Sequence, residues 1–271
     1  MTVKMIAVDI NDTLLNSQGQ MTDTTAITLQ QATNRGVKVV LTTSRPLFGI
    51  SEYLGELNLR GDTQYAITYN GALLQTLTGR VLKGHTMRRD DIETVAKFGA
   101  EHDVHFHFLD EQGHNYVTDS YINPYTVRQA AADHAGIHHV SLDSIRPDFH
   151  AAKIVLAGSP ATISRVQMDC INQLGSRYYI VRPRPYFIEI MSQTANKGTA
   201  LADLSAYLNI AMDEVMAIGD ELNDLPMLAS AGIPVAMGNA RRALKKNATF
   251  VTSDNDHNGV ARAVRKYVLG V

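Results

Sequence analysis

The segment Ala7-Val8-Asp9-Ile10-Asn11-Asp12-Thr13-Leu14-Leu15 (AVDINDTLL) closes an apolar run, Lys4 to Asp9, and then turns polar. The run predicts a buried strand. The carboxylate that ends it has two readings. It can be a turn or helix N-cap residue that satisfies free backbone N–H groups, or a functional group set at the mouth of a sheet. Working outward, the same strand-then-helix pattern recurs. Thr22 to Arg35 predicts a helix stopped by Gly36, and Val37 to Leu41 a second strand. A turn at Thr42 to Pro46 and a helix toward Leu57 follow, then a short strand, Tyr65 to Tyr69, ending in the turn signal Asn70-Gly71. Toward the C-terminus, Val215 to Ile218 and Ile233 to Met237 predict strands, and Leu222 to Ala229 and Gly259 to Val268 predict helices. This alternation predicts an α/β fold with a doubly wound parallel sheet.

The middle of the chain has a different texture. His105 to Leu109, Asn115 to Thr118, Ala152 to Ala157, Tyr178 to Val181 and Tyr186 to Met191 read as short strands interleaved with helices. They predict an inserted antiparallel α/β domain over residues 84–190, with residues 1–83 and 191–271 forming the other domain. In a doubly wound sheet the strand C-termini share one edge, where ligands bind. Asp9, Thr43, Asn70 and Asp220 each fall at or just past such an end.

Composition narrows the function classes. The 271 residues are 45% hydrophobic, and 25 basic against 27 acidic side chains give a formal charge of -2. No long basic run points to nucleic acid or an anionic membrane. No apolar run nears the roughly 20 residues of a membrane span. The opening MTVKMIAVDI is too short and too quickly acidic for a signal peptide, and the single Cys170 suits a reducing compartment. The expectation is a cytoplasmic protein.

Three features carry chemistry together that none carries alone. Asp9 ends a strand. Gly219-Asp220-Glu221-Leu222-Asn223-Asp224 follows another strand and opens a helix, where its carboxylates can hold Mg²⁺ or cap the helix. Asn196-Lys197-Gly198 precedes a helix, where a lysine can meet a phosphate or lie in solvent. A nucleophilic carboxylate, an ammonium and a metal-binding acid are the parts of a phosphoryl-transfer site.

At these residues the chain resembles the haloacid dehalogenase-like phosphatases of the Cof type. DINDTLL from Asp9 resembles their first motif, usually DxDGTLL; VVLTTSRP, Val39 to Pro46, is similar to the second. ITYNGA, Ile67 to Ala72, resembles their strand-end Asn-Gly turn, and NKGTAL from Asn196 the third motif. AIGDELNDLPML, Ala217 to Leu228, is similar to the fourth, and VAMGNA, Val235 to Ala240, to a further turn. The resemblance implies a Rossmann-like core with an inserted α/β cap domain, and Mg²⁺-dependent hydrolysis of a small phosphorylated metabolite, sugar phosphates foremost. It implies Asp9 as nucleophile, Thr43 and Lys197 on the phosphoryl group, and Mg²⁺ on Asp9, Asp220 and the backbone carbonyl of Asn11. Asp224 and Asn223 would support the metal or the lysine, and Arg45, Asn70, Gly71 and Asn223 would face the substrate.

Two departures stand out. Relatives carry an acid two residues after the nucleophile to protonate the leaving group and then activate water. Here that residue is Asn11, and Asp12 stands where Gly is usual; Ser44 likewise replaces the Gly before Arg45. An amide cannot exchange a proton near neutral pH, and general acid–base catalysis contributes about 10²–10⁴-fold. The sequence therefore leaves three outcomes open: a slow or leaving-group-selective phosphatase, a phosphate-binding protein or sensor with little turnover, and a phosphotransferase. A shift of the loop that brings Asp12 into the acid's place is disfavoured, because adjacent side chains point apart.

Elsewhere the residues read as structural. His105 and His107 share one strand face at a spacing that can bind zinc, but no third ligand is evident. His138-His139 reads as a loop pair, Asp110-Glu111 with Gly113 as a hairpin turn, Glu189 as a hinge or structural acid, and Cys170 as a buried apolar residue.

Overall fold

The computed structural model describes residues 2–133 and 135–271. The chain divides into two units, one of residues up to Lys83 together with Asn196–Val271, the other Gly84–Ala195. The core unit supplies β1 (Met5–Asp9), β2 (Lys38–Thr42), β3 (Tyr65–Thr68), β4 (Leu73–Thr76) and β5 (Val81–Gly84). The inserted unit supplies β6 (His105–Asp110), β7 (Asn115–Val117), β8 (Ile137–His139), β9 (Ala151–Ala157), β10 (Tyr178–Arg184) and β11 (Phe187–Ser192). The core resumes with β12 (Val215–Gly219), β13 (Ile233–Ala236) and β14 (Phe250–Val251).

The core sheet runs β14-β13-β12-β1-β2-β3-β4-β5. From β14 to β3 every pairing is parallel, and β4 turns back antiparallel on β3. β1 is apolar except at its end because both of its faces are covered: Met5, Ile6, Ala7 and Val8 are all fully buried. Full burial of a Met or Ile side chain is worth about 1.5–3 kcal/mol, so the strand that carries Asp9 is firmly held. Earlier strands lie on one side of β1 and later strands on the other, which makes its C-terminal end the topological switch point.

In the inserted sheet, ordered β10-β11-β9-β6-β7-β8, alternate residues take opposite faces. Phe106, Phe108, Ile154, Leu156, Ile188 and Ile190 pack with Ile92, Val95 and Phe98 of the helix Arg89–Glu101 and with Ile163, Val166 and Cys170 of the helix Pro160–Leu174. His107, Lys153 and Glu189 fall on the alternate positions of β6, β9 and β11.

Several expectations need adjustment. The sequence reading does not include β4, β5, β8 and β14, which are two to four residues long. His138-His139 lies in β8 rather than in a loop, and β8 pairs parallel to β7, so the insert is not wholly antiparallel. β11 carries the insert past residue 190, and the unit ends at Ala195. Leu222 to Ala229 is a 3₁₀ turn, Leu222–Asp224, before a helix, Leu225–Ser230, with Pro226 in its first turn. Among the described residues no helix is long and apolar enough to cross a membrane.

Candidate active site

The register of β1 assembles the site. Asp9 pairs with Thr42 on β2, and Val8 with Ile218 on β12. Asp9, Thr43 and Asp220 therefore leave three adjacent parallel strands at one edge. Thr43 is buried; its Oγ1 accepts from Arg45 N at 3.1 Å and its carbonyl from Asn70 N at 2.8 Å. Asn70 and Gly71 sit in a left-handed turn (φ 56° and 97°). A Cβ on Gly71 would lie 2.3 Å from the carbonyl oxygen of Asn196, so glycine lets this turn pack against the start of the helix Lys197–Tyr207. Asn196 caps that helix by accepting from Thr199 N at 2.9 Å. The Asn-Gly turn thus fixes where Lys197 emerges, a role distinct from contact with substrate.

Lys197, fully buried, donates to Asp9 Oδ1 and, at 2.6 Å, to Asp224 Oδ1. The other oxygen of Asp224 accepts the backbone N–H groups of Asp220 at 3.0 Å and Glu221 at 3.1 Å. A Cβ on Gly219 would fall 2.6 Å from the Asp224 carboxyl carbon, which explains the glycine in GDELND. With both oxygens engaged, Asp224 serves first as an anchor for Lys197 and for the loop. Asp220 Oδ1 accepts from Thr13 Oγ1 at 2.7 Å, and Asn223 Nδ2 donates to Asn70 Oδ1 at 3.0 Å.

Electrostatics define what this cluster can hold. Asp9, Asp220 and Asp224 are buried, with ligand atoms all within 4.8 Å of one another. Burial, then the Asp224 carboxylate, pushes Asp9 up to about 7 against the opposing pull of Lys197. Burial, then Asp9, pushes Asp220 up to about 8, against the hydrogen bond from Thr13. Burial alone would favour a neutral amine at Lys197, but Asp224 and Asp9 outweigh it and hold it protonated. Three carboxylates around one ammonium leave a net charge of −2 when ionised, the charge a divalent cation offsets. Crowded oxygen donors suit a hard cation.

At the rim of this buried set stand two half-buried residues. Arg45 Nη2 donates to Asn11 Oδ1 at 2.6 Å, and Arg45 Nη1 to Tyr53 Oη at 3.3 Å. Asp12 is exposed, with φ 57° and its carbonyl held by Asn239 Nδ2 at 2.7 Å. That left-handed conformation is why glycine suits the position, and Asp is one of the residues that tolerates it.

A family model for haloacid dehalogenase-like hydrolases matches residues 6–264. The chain belongs to the haloacid dehalogenase-like hydrolases. It is 36% identical over 267 residues to "Putative phosphatase YxeH" of Bacillus subtilis (strain 168), covering 98% of each chain. It is 27% identical over 269 residues to the 5-amino-6-(5-phospho-D-ribitylamino)uracil phosphatase YcsE of the same organism, covering 98% of this chain and 96% of that one. Among solved structures, a haloacid dehalogenase-like hydrolase from Bacteroides thetaiotaomicron superposes with a TM-score of 0.85 at 26% identity, over 98% of this chain and 99% of that one. The α/β core with an inserted α/β cap domain is the fold of this family, and the chain is a phosphatase of it, a phosphoric monoester hydrolase. Hydrolases of this family generally use a divalent metal, and the buried cluster of Asp9, Asp220 and Asp224 could hold one.

Sequence reading gave no role to Thr13, Asn239 or Gly219. Thr13 lies inside the quoted motif, but its partner Asp220 is 207 residues away. In the insert, His107 is buried between Thr126 Oγ1 (3.0 Å from Nδ1) and Gln129 Oε1 (3.2 Å from Nε2). Burial, then the charge of Lys153, pushes it down to about 3, so it stays neutral. His105 meets Asp119 at 2.7 Å, and Glu189 pairs with Lys153 at 2.7 Å, both members buried. Asp110 closes the hairpin by accepting Gln112 N and His114 N. Cys170 is buried, and burial pushes its thiol up to about 12.

Proposed function

We propose that this phosphatase hydrolyses small phosphorylated metabolites, sugar phosphates foremost, with Mg²⁺ and through an aspartyl phosphate on Asp9. The observation that carries it is Asp9 itself: a buried carboxylate at the switch point, bonded on one side to a protonated Lys197 and facing Asp220 on the other. In this reading Asp9 attacks phosphorus, and Lys197 and the Thr43 hydroxyl bind the equatorial oxygens. Bound Mg²⁺ would draw on Asp9, Asp220 and the backbone oxygen of Asn11, and would supply charge neutralisation for the phosphoryl group. Asp224 holds Lys197 in place, and Asn223 with Asn70 borders the substrate. The named substrate of one relative carries its phosphate on a ribityl chain, which supports a polyol phosphate here. We place the protein in the cytoplasm, where its single cysteine stays reduced.

The test is phosphate release from a panel of sugar phosphates with Mg²⁺ and again with EDTA. Release above background that EDTA abolishes is expected. Phosphate binding without release would favour the second reading, a phosphate-binding protein or sensor, which Asn11 supports.

The raised carboxyls also predict how metal and pH act on stability. Both Asp9 and Asp220 have folded-state values above the unfolded 3.8. Between about pH 4 and 8 the folded protein therefore holds more protons than the unfolded chain, and rising pH removes stability. Mg²⁺ binds the ionised form, so its stabilising effect, about 2.7 kcal/mol at 100 times Kd, grows across that window. Thermal unfolding with EDTA and with Mg²⁺ at several pH values checks this; a metal effect equal at about pH 5 and pH 8 would contradict it.

A further inference from the structure

Within that reading, Asn11 does more than remove an acid. Arg45 has only donors, so the atom of Asn11 that faces it at 2.6 Å must be the amide oxygen. The Nδ2 group then points away and meets no acceptor among the described residues. Arg45 itself forms no ion pair among the described residues: its guanidinium has Asn11, the hydroxyl of Tyr53, and the Tyr53 ring 5.8 Å away. Were residue 11 a carboxylate, the same geometry would be a charge-assisted pair that consumes this positive charge. As an amide it holds the guanidinium in place and leaves the charge uncompensated. A half-buried guanidinium whose charge no carboxylate takes up is available to an anionic ligand.

The position of the pair indicates which anion. Asp9, Thr43, Lys197, Asp220 and Asp224 are all buried, whereas Asn11 and Arg45 are half-buried at the same end of β1 and β2. In-line displacement puts the leaving oxygen opposite the attacking one, so with Asp9 buried the leaving group departs on the more open side, where Asn11 and Arg45 are half-buried. We infer that Arg45 and the Asn11 amide stabilise a leaving group that departs as an anion, so that the site turns over acyl phosphates and phosphoanhydrides faster than sugar phosphates of the alkyl-ester kind, which remain slower substrates. The step balances without a proton: the Asp9 oxygen forms the new P–O bond, the bridging P–O bond breaks, and its electron pair leaves on a carboxylate or phosphate. An alkyl ester would have to expel an alkoxide, a far more basic leaving group, and among the described residues neither Asn11 nor Arg45 can protonate it.

The probes are acetyl phosphate and glucose 6-phosphate, compared by kcat/KM with Mg²⁺ in the wild type, Asn11→Asp and Arg45→Gln. Acetyl phosphate is the more reactive in water, so the readout is the change in ratio between variants. Asn11→Asp is expected to raise kcat/KM for glucose 6-phosphate about 10²–10⁴-fold and to lower it for acetyl phosphate, collapsing the ratio. Arg45→Gln is expected to cost acetyl phosphate about 10²-fold or more and glucose 6-phosphate much less; it also decides the matter if the aspartate variant does not fold. A ratio unmoved by either substitution overturns the inference while leaving the phosphatase reading intact. Absence of turnover with both probes overturns the two together.

Discussion

With Asp9 replaced by Asn, phosphate release falls by on the order of 10⁶-fold, the scale of losing the nucleophile in a covalent hydrolase, while the fold persists. Both halves follow from the site. The amide keeps the shape of Asp9 and can still accept from Lys197, but it cannot form an acyl phosphate with the substrate. Nor does the fold depend on the charge, since burial and Asp224 already disfavour the ionised form of Asp9. Removing a carboxyl whose value is raised removes a source of instability at neutral pH. Metal-free Asp9→Asn is accordingly expected to unfold at a temperature no lower than the wild type. Release near the wild-type rate would show that Asp9 is not the nucleophile.

Lys197→Met has the second largest effect, and it acts on activity and stability together. The side chain is fully buried and bonds two carboxylates, Asp9 and Asp224. Removing one partner of a buried pair costs about 3–5 kcal/mol, because the remaining charge is left without compensation. Loss of the ammonium should also lower kcat about 10²–10³-fold, the scale for deleting one fixed group that stabilises transition-state charge. Mg²⁺ should restore part of the stability, since it neutralises Asp9, but not the activity. Denaturant unfolding with and without Mg²⁺, beside phosphate release, separates the two effects. Unchanged stability without metal would mean that Asp9 and Asp224 do not depend on Lys197.

Much of the core was legible because its signals are local. The apolar runs of β1, β2, β12 and β13 are bounded by Gly, Asn and Asp, and the alternation with helices gives a parallel sheet and hence a shared strand edge. Family resemblance then attached roles to Asp9, Lys197 and Asp220. What stayed hidden is what joins distant segments. No local pattern shows that Thr13 bonds Asp220 or that Gly71 leans on Asn196. The same holds for Asn11 and Arg45, 34 residues apart. In the sequence Asn11 reads as the place of an expected acid; in the structure its amide oxygen accepts from Arg45 at 2.6 Å. Asp12 reads as a misplaced acid until its left-handed φ of 57° shows a position defined by backbone conformation. The short strand β8 was missed for a different reason: three residues with two polar histidines carry no apolar periodicity, and its hydrogen bonds to β7 hold it in the sheet.

The central claim is covalent phosphoryl transfer to Asp9, and rapid-quench mass spectrometry tests it most directly. Protein is mixed with acetyl phosphate and Mg²⁺, stopped in acid within one turnover, and digested. The account predicts a mass gain of one phosphoryl group on the peptide that contains Asp9, absent in Asp9→Asn and absent with EDTA. Because Asn11 cannot act as a base toward water, the adduct should persist in the wild type and decay faster in Asn11→Asp. Steady phosphate release with no adduct on that peptide at any quench time would contradict it.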